Sequence, residues 1–149
     1  MSSLRRSFLE EALKEAYRAS ELGEVPVGCV VVKDGRVIAR AHNLTRSLKD
    51  ASAHAEMVAM KRASQVLKDW RLDGCDLYVT LEPCVMCSYA LVLFRVRSVV
   101  FGALDQKHGG VMSLYSLLDD ERLNHRVKWI YEPTQECAEI LRRFFGEKR

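Results

Sequence analysis

Three side chains that could bind one metal ion stand in two short motifs of this 149-residue sequence. They are the imidazole of His54 and the thiols of Cys84 and Cys87. Zinc prefers such nitrogen and sulfur ligands, and the short cysteine spacing lets both sulfurs reach a single tetrahedral ion. Three protein ligands leave the fourth tetrahedral position to water, which is typical of catalytic rather than structural zinc. The pattern therefore predicts one catalytic zinc ion.

Glu56 follows His54 by two positions and supplies a carboxylate for proton transfer beside that water. Side chains two positions apart do not share a helix face, so these two residues would normally diverge. They can converge if the metal lies beyond the N-terminal end of a helix that carries both. The same placement for Cys84 and Cys87 directs the positive ends of two helix dipoles at the site, which favours the thiolate form.

Two other interpretations of the motifs involve no catalytic zinc. The Cys84 and Cys87 pair could be redox active, or it could be half of a structural site with four ligands. The side chains that could supply such a fourth ligand are Cys29, Cys75, Cys137, His42, His108 and His125. None of them is tightly spaced with the other ligands, so the combined pattern favours the catalytic site. Cys29 and Cys137 stand in apolar segments and are expected to be small buried hydrophobic residues.

Periodicity and turn signals predict alternating helices and strands around these motifs. An amphipathic helix is expected between Ser7, its N-cap, and Gly23, and Asp34 with Gly35 marks a hairpin. The other predicted elements are strands over Cys29–Val32 and Val37–Ala41, a loop over Asn43–Ser52, a helix over Ala53–Leu67 capped by Asp50 or Ser52, a strand over Leu77–Leu81, a helix from Pro83 to Leu93, a strand over Val99–Gly102, a loop over Asp105–Gly110, a short helix over Met112–Leu118, a strand over Val127–Tyr131, and a helix after Thr134 that buries Ile140, Leu141, Phe144 and Phe145.

Alternating strands and helices favour an α/β fold, because each strand then needs a helical layer on both faces. We expect a three-layer α/β/α sandwich around a central mixed sheet of about five strands. A chain of this length makes one domain, so residues 1–149 are predicted to form a single zinc-dependent domain.

The composition predicts neither a disordered chain nor a membrane-inserted one. Hydrophobic residues make up 48% and charged residues 29%, as in ordinary globular proteins, and the apolar runs are too short to cross a bilayer. The N-terminal segment alternates charged and apolar residues and does not resemble a signal peptide. The protein is therefore expected in the cytoplasm, where its five cysteines, an odd number, should stay reduced.

Positively charged side chains that could contact phosphates crowd the C-terminal end and one loop. They are Lys107, Arg142, Arg143, Lys148 and Arg149. The net charge of +3 is only mildly basic, so these side chains could equally form a solvated surface.

The HAE motif at His54 and the PCVMC motif at Pro83 together are the known signature of the zinc-dependent nucleobase deaminases, which this chain resembles. Several longer segments resemble the bacterial tRNA-specific adenosine deaminases in particular. These segments are EVPVGCVVV (Glu24–Val32), Asn43 after Ala41 and His42, LYVTLEPCVMC (Leu77–Cys87), VVFGALD (Val99–Asp105) and LNHRV (Leu123–Val127). The resemblance covers nearly the whole chain and implies a cytidine deaminase-like fold.

The resemblance implies hydrolytic deamination of adenosine to inosine at the wobble position of a tRNA anticodon stem-loop, with one zinc ion per subunit. It implies that Glu56 shuttles protons, that Asn43 hydrogen-bonds the target base, and that Val27 and the backbone near Ala55 shape the pocket. It also implies a homodimer. The chain departs from the family where Ala51 and Ser52 replace a Pro-Thr pair, and losing the proline is expected to loosen the loop that carries Asn43.

Two alternatives to this function remain at the level of sequence. Cytosine, cytidine and guanine deaminases share the metal motif, so the chain could act on a free base or nucleoside. It could also be a zinc-stabilised RNA-binding subunit without activity. Inactive partners in the family typically lack the acidic residue at Glu56, so its presence favours an enzyme.

Overall fold

The computed structural model describes residues 2–146, in which five strands form one mixed sheet. The strands are β1 (Gly28–Lys33), β2 (Arg36–His42), β3 (Cys75–Val79), β4 (Ser98–Phe101) and β5 (Lys128–Tyr131). Their order across the sheet is β2-β1-β3-β4-β5. Strand β1 runs antiparallel to both neighbours, whereas β3, β4 and β5 are parallel to one another. The predicted mixed sheet of five strands is confirmed.

Helices cover both faces of this sheet, as the alternation of elements predicts. The helices are α1 (Ser2–Glu21), α2 (Thr45–Leu48), α3 (Ala55–Leu67), α4 (Val85–Leu93) and α5 (Gln135–Gly146), with a 3₁₀ turn at Leu117–Asp119. None of the helices within residues 2–146 combines the length and the apolar character that crossing a bilayer requires.

The two faces of β1 show how the layers are held together. Cys29 and Val31 point to one side and pack in a cluster with Met60 of α3 and Leu91 of α4. Val30 points to the other side, where α1 covers the sheet. Successive strand residues alternate between faces, so a continuous apolar run in β1 supplies both cores. This arrangement confirms the α/β/α sandwich.

The ends of α1 and α5 correct two details of the predicted helices. Helix α1 begins at Ser2, so Ser7 lies inside it and is not its N-cap. Gly23 follows the helix with φ +76°, the left-handed conformation expected of a residue that ends a helix. In α5, Ile140 is buried as predicted, but Phe145, in the last turn, is 49% exposed.

Two loop segments also differ from prediction. The predicted loop after Asn43 contains the short helix α2. The predicted helix over Met112–Leu118 does not form, and turns followed by the 3₁₀ helix take its place. The backbone N–H groups of Met112 and Ser113 donate to the carboxylate of Glu82, at 2.7 and 2.9 Å. Those of Leu114 and Tyr115 both donate to the carbonyl of Gly109, at 3.0 and 3.1 Å, which is not the i→i−4 pattern of an α-helix.

Three loops that leave the same edge of the sheet build the site. Strands β2 and β3 both run antiparallel to β1, and β4 is parallel to β3, so all three end at one edge. The loop after β2 leads to α3, the loop after β3 leads to α4, and the loop after β4 continues through residues 104–113. Convergence of loops at the carboxyl ends of strands is the usual place for a ligand site in α/β folds.

Candidate metal centre and active site

The three predicted metal ligands lie at the N-terminal ends of two helices. His54 is the N-cap of α3 and Cys84 is the N-cap of α4, while Cys87 lies in the first turn of α4. The Nδ1 atom of His54 is 3.6 Å from the sulfur of Cys84 and 3.6 Å from that of Cys87. Bond lengths of about 2.3 Å to sulfur and 2.0–2.1 Å to nitrogen give a tetrahedron whose S···N edge is also about 3.6 Å. The donor set therefore fits zinc.

The start of α3 differs by two residues from the predicted start at Ala53. Neither Asp50 nor Ser52 caps this helix by a side-chain hydrogen bond. Instead, the carboxylate of Asp50 accepts hydrogen bonds from the backbone N–H and hydroxyl of Ser52, at 2.8 and 2.7 Å. These hydrogen bonds stabilise the turn that precedes His54.

Electrostatics at the two cysteines favour binding of a cation. A hydrogen bond from the Cys87 thiol, helped by His54, lowers the pKa of Cys84 to about 4 in spite of burial. The same shared proton, together with burial, raises the pKa of Cys87 well above its usual range. The contact with Cys84 also raises the pKa of His54. The pair thus retains one proton, and a divalent cation between the sulfurs favours its release.

The other candidate ligands do not join this group. Within residues 2–146, His54, Cys84 and Cys87 are the group of His, Cys, Asp and Glu side chains close enough to hold one ion. Cys29, Cys75 and Cys137 are buried free thiols elsewhere in the fold, as expected of Cys29 and Cys137. The donor set of three matches the prediction of a zinc ion with a position left for water.

Glu56, in the first turn of α3, faces the same cavity as the ligands and is 4% exposed. Burial raises the pKa of Glu56 to about 7, against the opposing effects of its own backbone N–H, the nearby His54 and the Cys87 thiol. A buried carboxyl group next to the metal ligands can hold or release a proton near neutral pH.

The cavity above these residues has a volume of about 1050 Å³. Its walls come from the segment before β1, the loops after β2, β3 and β4, the first turns of α3 and α4, and α5. The lining residues are Val25, Val27, Asn43, Thr45, Ala51, His54, Glu56, Leu81, Glu82, Cys84, Met86, Leu104, Asp105, Gln106, Lys107, His108, Leu141 and Phe145. This volume lies at the upper end of the range for small-molecule sites.

Two of the three predicted base-binding residues line the cavity, and the third lies beneath it. Val27 and Asn43 face the cavity, and the side-chain oxygen of Asn43 accepts a hydrogen bond from the backbone N–H of Ala55 at 2.8 Å. The backbone N–H of Asn43 donates to the carbonyl of Val27 at 3.2 Å. Ala55 is fully buried. These contacts join the loop after β2 to the start of α3.

The predicted RNA-contacting residues are only partly gathered at the cavity. Lys107 lines the cavity wall, whereas Arg142 and Arg143 are exposed on α5. Lys148 and Arg149 lie outside the described residues. The ring of Phe145, predicted to be buried, instead stands at the cavity wall.

Two buried carboxylates at the site were not predicted. Glu82 accepts hydrogen bonds from the loop after β4, and Glu24 accepts them from Ser47 and Arg46 at the start of α2. An acidic residue directly before Pro83, in an otherwise apolar segment, was the signal available for Glu82. It could be interpreted only with the fold known, because its partners are about 30 residues away in sequence.

Comparison with known proteins agrees with this geometry. Residues 2–103 match the family model of the cytidine and deoxycytidylate deaminase zinc-binding region. The chain is 58% identical to a tRNA-specific adenosine deaminase of Aquifex aeolicus, over 95% of this chain and 94% of that protein. It is 49% identical to a tRNA-specific adenosine deaminase of Bacillus subtilis, over 95% of this chain and 89% of that protein.

A solved structure from studies of A-to-I editing by tRNA:A34 deaminases at the wobble position of transfer RNA superimposes with a TM-score of 0.87. It is 45% identical and covers 91% of this chain and 99% of that chain. On the matched family model, the high identity to curated relatives and the shared fold, this chain belongs to the zinc-binding cytidine and deoxycytidylate deaminase family, in the branch of the tRNA-specific adenosine deaminases.

Proposed function

We propose that this protein catalyses the hydrolytic deamination of adenosine to inosine at the wobble position of a tRNA anticodon. The observation that carries the proposal is that Glu56 lines one cavity with His54 and Cys84, and that Cys87 completes their metal-binding group, in a chain 58% identical to a tRNA-specific adenosine deaminase. The reaction consumes adenosine and water and yields inosine and ammonia.

Zinc held by His54, Cys84 and Cys87 supplies a Lewis acid that makes water nucleophilic near neutral pH. Glu56 is buried beside these ligands and acts as the proton shuttle of the reaction. Its carboxylate takes a proton from the attacking water and passes it to N1 of adenine as the C6–O bond forms. It then transfers the second proton to the amino group at C6, which leaves as ammonia.

Asn43, Val27 and Ala55 position the target base over this centre. The side-chain oxygen of Asn43 is held by the N–H of Ala55, so the amide N–H groups of Asn43 are offered to acceptor atoms of the base. Val27 gives the cavity an apolar wall against the face of the ring. A base reaches this depth only when it is splayed out of its stack, which suits an anticodon loop better than a duplex.

Contacts to the rest of the anticodon stem-loop come from cationic side chains of the loop after β4 and of the C-terminal segment. We assign this role to Lys107, Arg142 and Arg143, and to Lys148 and Arg149 beyond the described residues. The position of Lys107 in the cavity wall supports its assignment. Phosphate contacts of this kind make binding salt-dependent.

The protein acts as a homodimer in this proposal, because α4 presents an apolar face to solvent. Val85, Tyr89 and Leu93 recur every fourth residue on this helix and are 38%, 45% and 56% exposed. Side chains at this spacing form one stripe, and exposed apolar stripes are typical of protein interfaces. Light scattering on wild type and Tyr89→Ser tests the assignment, with a dimer expected for wild type and a weaker dimer for the variant.

We further propose that residues 1–149 form one deaminase domain that works in the cytoplasm. The first and last described helices support a single domain, since Leu13 and Ala16 of α1 share an apolar cluster with Cys137 and Ile140 of α5. The free thiols of all five cysteines are consistent with a reducing compartment.

The function is tested by incubating zinc-loaded protein with an anticodon stem-loop RNA containing adenosine at the wobble position, and separately with adenosine, cytidine, cytosine and guanine. Mass analysis of the digested RNA should show inosine, and the small molecules should remain unchanged. Deamination of a free base or nucleoside without inosine in RNA would favour the alternative function. No turnover of any substrate, with zinc bound, would indicate a binding subunit.

A further inference from the structure

Glu82 is a buried carboxylate at the base of the cavity that the proposed reaction does not use. It lies between β3 and the ligand Cys84, is 2% exposed, and contributes to the cavity lining. Its oxygens accept hydrogen bonds from the backbone N–H groups of Asp105, Val111, Met112 and Ser113, and from the Ser113 hydroxyl. All of these donors are uncharged, and all belong to residues 104–113, here called the wall loop.

The wall loop closes around this carboxylate at short range. A Cβ atom on Gly109 would lie 2.3 Å from the carboxyl carbon of Glu82, so only glycine fits there. The N–H of Gly110 donates to the carbonyl of Pro83 at 2.8 Å, and Gly109 forms a β-bridge with Cys84. The carboxylate thus joins the wall loop to the segment that carries a metal ligand.

The other end of the wall loop forms the rim of the cavity. Asp105, whose N–H is held by Glu82, accepts hydrogen bonds in turn from the N–H groups of Lys107 and His108, both at 3.1 Å. Lys107 and His108 are exposed while still lining the cavity. These two side chains are therefore accessible to a ligand that extends out of the cavity.

We propose that Glu82 is a positioning residue that fixes the wall loop in the shape that receives the nucleotides flanking the target base. It acts through the backbone of the loop and touches neither the reacting atoms nor the RNA. The loop contacts the RNA equally in the ground state and in the transition state. Glu82 therefore affects RNA binding and not the rate of the chemical step. This inference rests on the proposed function, because it assumes a polynucleotide substrate.

The test is steady-state kinetics of Glu82→Gln on the anticodon stem-loop. Glutamine keeps the shape but turns an N–H₂ group toward N–H donors, which leaves part of the wall loop without acceptors. KM should rise about tenfold while kcat stays within about twofold and zinc content stays at one per chain. The matched control is Glu15→Gln, since Glu15 is equally buried, at 3%, but pairs with Arg18 and does not line the cavity. This control should lower the melting temperature and leave KM unchanged.

Several outcomes would overturn the inference. An unchanged KM in Glu82→Gln, or a loss of kcat or zinc without a change in KM, would show a purely structural role. If Glu82→Gln does not fold, Ser113→Ala removes one donor and keeps the charge, and its KM should rise about threefold; no rise would also overturn the inference. If wild type itself forms no inosine, the proposed function fails and not the role of Glu82.

Discussion

Glu56 and Glu82 are two buried carboxylates in one cavity, and their surroundings differ in the number of hydrogen-bond donors. Glu82 accepts five hydrogen bonds from the wall loop. Burial alone would raise the pKa of Glu82, but these bonds outweigh it and hold its pKa below the usual range. Burial dominates at Glu56 and raises its pKa to about 7.

This difference separates a group that can exchange protons from one that organises the chain. A carboxylate whose lone pairs are occupied by fixed backbone donors stays ionised and cannot take a proton without breaking those bonds. A buried carboxyl group with few such donors remains available to water and substrate. Burial alone therefore does not identify a catalytic acid, and the donors around the oxygens have to be examined.

Replacing Glu56 with glutamine gives the largest expected effect and tests the role of Glu56 as the proton shuttle. The rate of inosine formation should fall by about 10²–10⁴, because the proton shuttle is lost. Zinc content should remain at one per chain, and the melting temperature should not fall, because a buried ionisable group is replaced by a neutral one of the same shape. Single-turnover kinetics, metal analysis and thermal denaturation measure these quantities. An undiminished rate would remove Glu56 from the mechanism.

Replacing Gly109 with alanine disturbs the packing of the wall loop against Glu82 without changing any charge. The new Cβ would lie 2.3 Å from the carboxyl carbon of Glu82, so the wall loop must shift. Overpacking of this kind should lower the free energy of unfolding by about 1–3 kcal/mol. Urea denaturation measures it, with Gly146→Ala as control because no atom lies within 4 Å of a Cβ there. Equal stability of the two variants would mean that the loop does not close on Glu82 as described.

The metal ligands and Glu56 could be predicted from sequence, whereas most of the contacts between Glu82 and the wall loop could not. His54, Cys84 and Cys87 occur in short motifs whose chemistry depends on residue type and local spacing. Their approach to one metal ion could be predicted by placing each motif at the N-terminal end of a helix. The strands of the sheet could likewise be predicted from local apolar patterns.

The contacts of Glu82 depend on which loops meet at one sheet edge. Its partners Met112 and Ser113 are 30 and 31 residues away, so the local sequence does not indicate where their backbone N–H groups donate. Local propensity cannot detect a distant carboxylate that competes for backbone N–H groups. Phe145 was wrongly predicted to be buried, because helical periodicity does not show how far along a helix the packing against the core continues.

Glu24→Gln extends the comparison to a third buried carboxylate, next to Val25 of the cavity lining. Glu24 is fully buried and accepts hydrogen bonds from the N–H and hydroxyl of Ser47, at 2.7 and 2.6 Å. The variant should lose about 1–2 kcal/mol of stability at pH 7. Burial opposes ionisation, but these bonds outweigh it and hold the pKa of Glu24 below its ordinary value of 4.5.

The sign of the pH dependence follows from that lowered pKa. The carboxylate of Glu24 contributes its stability above pH 4.5, and this contribution is lost as pH falls through the lower folded-state value. The gap in unfolding free energy between wild type and Glu24→Gln should therefore shrink on going from pH 7 to pH 3. Urea denaturation at both pH values measures the gap, and a gap that widens in acid would contradict the assignment.

Arg142→Gln should have the smallest effect, because it alters a group outside both carboxylate networks. Arg142 is exposed on α5, where its nearest charged partner is Glu139 at 3.9 Å, and with Leu141 and Phe145 it borders a shallow depression next to the cavity. If it contacts one phosphate, the slope of log affinity against log salt should lessen by about one, with kcat unchanged. Arg36→Gln makes the same change at the hairpin turn, on the opposite edge of the sheet, and should leave the slope unchanged. Equal slopes for both variants would place the RNA away from α5 and leave the wall loop as the main binding surface.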